Sequence, residues 1–218
     1  MRTAKERLLE ATFQLISEKG YLGATTREIA HRAGVTELTL FRHFGSKEKL
    51  FEEVLKKYTF LPKLKGLLPG LKGIHYSNAL RILGTRFLET LKERKSLIKI
   101  MLSEINLYPD KIRAVHHGFI GELIKTLAGY FRSLQKKGVI RRFPAEMAAR
   151  AFLGMIFSYF LSEEIMLGRT VDKKEIKKVL REFTGVFIKG TLKDKSCKGE
   201  HTKLVKRKTQ LKGKRTNV

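Results

Sequence analysis

Apolar residues recur at helical spacing between Lys5 and Lys19, where Leu8, Leu9, Phe13, Leu15 and Ile16 share one side of the chain, and Gly20 marks the stop of a first helix. Thr25 and Glu28 have the spacing of a capping box, and Ile29, Ala30 and Ala33 form the inner face of a short second helix that ends at Gly34. A glycine turn and the cap residue Thr36 then open a third helix of about two turns, with Leu40 and Phe44 turned inward. Ser46 caps a fourth, which runs to Tyr58 or Phe60 before Pro62 breaks the pattern. Gly66, Pro69, Gly70 and Gly73 read as a loop-rich link. Beyond it, helical patterns cover 78–93, 95–107, 110–137, 144–167 and 171–192, punctuated by Pro109 and Gly138, with Pro144 as a first-turn proline.

No repeat or strand alternation interrupts this order, so the expected fold class is all-α. Two short helices joined by a tight glycine turn, backed by a longer helix, form a helix-turn-helix, which presents its second helix outward. The reading is an N-terminal three-helix helix-turn-helix domain at 1–60, a C-terminal helical domain at 61–192 and a tail at 193–218.

Composition narrows the function. With 218 residues and 42% apolar content the chain can bury a core, which excludes disorder along its whole length. Its single thiol, Cys197, excludes an intramolecular disulfide framework and a cysteine-based zinc site. The start, from Met1 to Arg7, is charged and amphipathic rather than a secretory signal, and the longest apolar run, Ala151 to Leu161, is shorter than the roughly 20 residues of a membrane span. A soluble, cytoplasmic protein is expected.

The net charge of +25 points to a polyanion partner, and its distribution says more. Residues 1–50 carry +3, 51–143 carry +12, 144–188 only +1 and 189–218 carry +9. The near-neutral stretch reads as a surface built for something other than nucleic acid. From Lys193 the chain is basic and poor in apolar residues, so a disordered tail is expected there.

Leu8-Leu9, Ala11, Gly20-Tyr21, Thr25-Thr26, Ile29-Ala30, Ala33-Gly34-Val35-Thr36, Leu40-Phe41, Phe44, Ser46-Lys47 and Leu50 together resemble the DNA-binding domain of TetR-family transcriptional regulators, over residues 8–50 nearly position for position. Phe41 stands where the family usually carries a tyrosine whose hydroxyl reaches a DNA phosphate. Gly138-Val139-Ile140-Arg141, Pro144 and Ala148-Ala149-Arg150-Ala151-Phe152 resemble the C-terminal part of the same family. The resemblance implies a sequence-specific regulator, a repressor released from a palindromic operator by a small-molecule inducer, with a C-terminal ligand-binding and dimerisation domain and no cofactor.

A helix in the major groove reads base edges with its first turns, while caps and flanking cations hold phosphates. Thr36, Glu37, Leu38 and Thr39 open the third helix: Thr39 can donate and accept, Leu38 can touch a thymine methyl, and Glu37 can accept from cytosine N4 or complement the helix dipole. Thr25, Thr26 and Arg27 stand at the second helix's N-terminus, where free backbone N–H groups suit a phosphate. The resemblance extends a phosphate role to these three, to His43 and to Lys47. Arg42 can reach guanine or phosphate, and with Phe41 it completes the DNA-binding set.

One such unit binds weakly, so a two-fold homodimer is expected, with recognition helices about 34–36 Å apart. Met147, Phe152, Met155, Ile156, Tyr159 and Phe160, with Ile176, Leu180, Phe183, Val186 and Phe187, make two helices apolar over more of their circumference than one core needs, which suits a four-helix bundle between two copies. Phe87, Met101, Ile105, Tyr108, Phe119, Leu123 and Tyr130 are an apolar and aromatic set that either fills a core or lines a pocket for an apolar or amphipathic inducer, and Arg81, Arg86, Lys99 and Arg113 either form a solvated basic face or admit an anionic inducer.

No nucleophile, base and orienter converge, and the adjacent His116 and His117 point about 100° apart on a helix, too far to share a metal. Neither a catalytic site nor a metal site is expected. The competing reading is an architectural or non-specific nucleic-acid-binding protein, which calls for aromatic stacking platforms among basic residues; the tail has no aromatics.

Overall fold

This computed structural model describes residues 2–104 and 106–193. Ten α-helices and one π-helical turn make up that part: α1 (Ala4–Gly23), α2 (Thr26–Arg32), α3 (Glu37–Phe44), α4 (Lys47–Tyr58), α5 (Phe60–Gly70), α6 (Tyr76–Glu93), α7 (Lys95–Glu104), α8 (Asp110–Lys136), α9 (Ala145–Phe160), the π turn (Leu161–Met166) and α10 (Lys173–Thr191). An isolated antiparallel bridge joins Ile140 to Leu192, and no strand forms among the described residues. The basic tail beyond Lys193, with Cys197, and the pocket candidate Ile105 lie outside the described residues.

The apolar positions sort into two cores. In the first, Leu8, Leu15 and Ile16 of α1 meet Ile29 of α2, Leu40 and Phe44 of α3, and Leu50, Phe51 and Val54 of α4. Four residues from far along the chain complete it: Leu97 and Met101 of α7, with Tyr108 and Ile112 at the start of α8. Accordingly α1 packs most extensively against α7. The second core begins at Phe60 and gathers the inner faces of α5, α6, α8, α9 and α10, with Phe152 packed edge-on to Phe187 at 5.2 Å and Phe131 tilted against it at 5.7 Å between ring centres.

Two expectations are corrected here. The stretch read as a loop-rich link after Pro62 is the helix α5, whose Phe60, Leu61 and Leu64 are buried. Pro62 lies in its first turn, where a backbone N–H has no helical partner, and Pro69 stands next to its end. The pattern over 144–167 is not one regular helix either. It widens into the π turn, which buries the Glu164 carboxylate between Lys92 at 3.1 Å and Lys95 at 3.0 Å, with the Val171 N–H donating to it at 3.3 Å. A carboxylate taken out of water needs such partners, and meeting them pins the α9–α10 connection to the α6–α7 corner.

Candidate nucleic-acid interface

The hydroxyls around the helix-turn-helix are engaged within it. The Thr25 hydroxyl accepts from the Glu28 N–H at 3.2 Å, while the Glu28 carboxylate accepts from the Thr25 N–H at 3.3 Å, closing the capping box. Lys19 donates to the same carboxylate at 2.6 Å and, ahead of the Thr25 bonds, pulls its pKa down to about 2. Thr26 donates to Glu37 at 2.6 Å and so ties the start of α2 to the start of α3. Thr36 caps α3 by accepting from the Thr39 N–H at 3.2 Å, and its hydroxyl lies 3.0 Å from that of Thr39. The turn between the two helices passes through Gly34 at a φ of 63°.

With Leu40 and Phe44 buried, the opposite side of α3 faces out. Leu38 is 78% exposed and Phe41 43% exposed, and Arg42 and His43 are exposed beside them. Arg27, at the start of α2, is also exposed, and Arg27 and Arg42 have no acidic partner among the described residues. Free cations flanking an exposed helix fit a polyanion. Arg7, which the sequence reading passed over, brings its guanidinium to the same turn: a Cβ at Gly34 would lie 3.4 Å from it.

Lys47 differs from Arg27 and Arg42. Its ammonium sits 4.4 Å from the centre of the Tyr21 ring, partly out of water, and burial lowers its pKa against the opposing pull of Glu48 and Glu104. Tyr21 in turn is held by Glu104 at the end of α7. Gly20 breaks α1 with φ 79° and ψ 174°, the chain resumes helical form to Gly23, and the Tyr21 N–H donates to the Glu104 carboxylate at 2.8 Å. Tyr108 donates to the same oxygen at 3.2 Å. Gly20 was expected to end the helix; it kinks it instead, and the kink leaves an N–H for Glu104 to take. No local signal could have revealed this, because Tyr21 and Glu104 lie 83 positions apart.

The inducer-pocket residues do not form one group. Phe87 and Leu123 are buried in the second core with Tyr130 packed against it, whereas Met101 and Tyr108 belong to the first, and Phe119 touches both. An aromatic and apolar set at helical spacing cannot say which of two cores it fills. The four cations follow the solvated-face alternative. Arg86 pairs with Glu89 at 2.9 Å, Arg113 pairs with Asp110, Arg81 donates to Asn78 at 2.8 Å, and Lys99 is exposed: these belong to a solvated face.

Of the expected dimer residues, Phe152, Ile156, Phe160, Leu180 and Phe187 are buried within the chain's own core, which corrects their assignment. The sequence overestimated the spare apolar surface because α9 and α10 must each satisfy α6 before they can face a partner. Met147 and Val186 are exposed, at 64% and 67%, and Met155, Tyr159, Ile176 and Phe183 are partly so. His116 and His117 lie 6.4 Å apart between ring centres, and no group of three or more metal-ligating side chains occurs among the described residues. No helix among them is long and apolar enough to cross a membrane.

Comparison with known proteins agrees with this geometry. Residues 8–54 match the profile of bacterial regulatory proteins of the TetR family, and residues 78–190 match the C-terminal domain of AefR-like transcriptional repressors. The chain is 34% identical to YvkB, an HTH-type transcriptional regulator of Bacillus subtilis, over 89% of this chain and all of that one. Among solved structures, a TetR-family transcriptional regulator from Mesorhizobium loti superposes with a TM-score of 0.71 at 22% identity, covering 87% of this chain and 97% of that one. The flavonoid-responsive regulator FrrA superposes with a TM-score of 0.67 at 25% identity, with the same coverage. A helix-turn-helix with a free, cation-flanked recognition helix, on a helical C-terminal half that matches throughout, has one reading: this chain belongs to the TetR family and is a DNA-binding transcriptional regulator.

Proposed function

We propose that the protein is a cytoplasmic repressor that binds a palindromic operator as a homodimer and releases it when a small molecule enters its C-terminal half. Residues 1–60 supply the DNA contacts, with Arg27, Leu38, Phe41, Arg42, His43 and Lys47 facing or flanking the duplex and Thr25, Thr26, Thr36, Glu37 and Thr39 holding the two helices in register. Residues 61–192 regulate. The observation that carries the reading is the face of the last two helices that no other described residue covers. Along α9, Met147, Ala151, Gly154 and Ser158 are exposed on one side, and α10 exposes Val186 beside the half-buried Phe183. Such a face is covered when two copies pair, and pairing fixes the spacing of two recognition helices.

Two further points support an inducer. The Tyr130 hydroxyl is buried against the second core without a hydrogen-bond partner among the described residues, a cost that a polar group on a ligand removes. Phe87, Phe119 and Leu123 belong to or pack against the same core and suit an apolar or amphipathic molecule. A relative in structure, FrrA, is described as flavonoid-responsive, and the matching C-terminal profile is that of repressors. A ligand that fits one spacing of the recognition helices better than another shifts the population away from DNA.

Selection of bound sequences from a random duplex library, at about physiological salt to suppress non-specific attraction, tests the reading. It should return a palindrome bound by two copies. Enrichment of nothing above background, with retention lost on truncation before Lys193, would instead establish the basic tail as the binding element.

A further inference from the structure

The arrangement of α3 also identifies the base group that the protein reads. Of the polar side chains in its first turn, Thr36 and Thr39 are bonded to one another and Glu37 is held by Thr26. The large side chain of that turn left pointing away from the protein is apolar. At about 100° per residue, Leu38 lies opposite the buried Leu40 and Phe44, with Phe41 and Arg42 flanking it. Leu38 is the most exposed large apolar side chain among the described residues, at 78%, and Phe41 adds a second exposed apolar surface at i+3. An apolar ridge on a chain of this charge, bracketed by Arg27, Arg42 and His43, has no partner within the described protein. In the major groove the one apolar group on a base edge is the thymine C5-methyl.

We propose that Leu38 reads a thymine methyl group in each half-site, with Phe41 closing the contact from the adjacent turn, so that the operator carries thymine at one fixed symmetric position. Arg42 and Arg27 hold the flanking phosphates. Glu37 fixes the angle between α2 and α3 and is not a base reader. This inference rests on the operator-binding reading above and adds the identity of the recognised group.

The test uses the full-length protein and the palindrome returned by selection. Each thymine is replaced in turn, in both half-sites, by deoxyuridine, which removes the methyl and leaves every hydrogen-bonding group in place. At one position the substitution should weaken binding about fourfold per half-site, or about fifteenfold for the dimer, the effect of uncovering one carbon per site. Leu38→Ala should lose a similar amount on the thymine operator and lose nothing more on the deoxyuridine operator. The variant keeps its helix, since position 38 is exposed and alanine is the best helix former. Methyl removal without effect at every position, or full methyl sensitivity retained in Leu38→Ala, overturns the inference alone. Absence of any palindrome overturns the operator reading and this inference with it.

Discussion

An alanine at position 20 meets both a backbone and a packing obstacle. The φ of 79° lies in the region that residues with a Cβ avoid, and a Cβ there would fall 1.9 Å from a carboxylate oxygen of Glu104. The Glu104 side chain can swing away, but only by releasing the Tyr21 N–H that it accepts from. Gly20→Ala is therefore expected to cost about 2 kcal/mol in chemical denaturation, with part of the loss absent when Glu104→Ala is made first. Unchanged stability in the single variant would mean that the kink is not constrained. Glu28 offers a pH test. Its carboxyl is held near 2 against an ordinary 4.5, so the unfolded chain binds the proton more tightly than the folded one. The capping box should stabilise α2 fully above the ordinary value and lose that effect as pH falls from 4.5 towards 2. A carboxyl titration followed by NMR should show a midpoint near the lower value; a midpoint at the ordinary one would mean that Lys19 and Thr25 do not hold the group.

Helix boundaries follow local chemistry, and most could be read from it. Thr25, Thr36 and Ser46 were each recognised as caps from their place before an apolar run, and each accepts the expected backbone N–H. The cap on the recognition helix should be worth about 1 kcal/mol, so Thr36→Ala should unfold earlier in urea by that amount and weaken operator binding through a frayed first turn. A Thr36→Ser variant, which keeps the hydroxyl, should restore both. What misled was proline. Pro62 breaks a helix only when it lies in the interior, and the pattern alone does not show that α4 has already ended at Tyr58 and that a new helix starts at Phe60. The π turn was equally hidden, because the groups that meet its buried Glu164, Lys92 and Lys95, are side chains on other elements.

Across the whole molecule, the first core is not confined to the DNA-binding helices. Leu97, Met101, Tyr108 and Ile112 reach into it, and Glu104 clasps the kink of α1 beside Lys47. A displacement of α7 therefore reaches a cation next to the recognition helix through direct contacts. Pairing of two copies is tested by Val186→Asp. Position 186 is 67% exposed, so the fold should persist, while a carboxylate trapped without a partner in the interface should raise the dimer dissociation constant about a hundredfold or more. Sedimentation should then show monomer at concentrations where the parent is dimeric, and binding to a palindrome should fall with it. A variant that remains dimeric would place the interface elsewhere.

The sequence by itself determined the helical class, the order of the helices around the turn at Gly34, the caps, and the inward set of Leu8, Ile29, Leu40 and Phe44. These depend on spacing and on the chemistry of neighbouring residues, which a linear chain displays. The tertiary structure alone decided which apolar faces are spent in the monomer and which are left over. It moved Phe152, Ile156 and Leu180 inside, left Met147 and Val186 outside, and split Phe87 from Tyr108 between two cores. It also showed that Glu37 and Thr39 are engaged within the protein while Leu38 stands free. Periodicity marks a face as apolar or polar, but what covers that face, or bonds to it, is settled by residues distant in the chain.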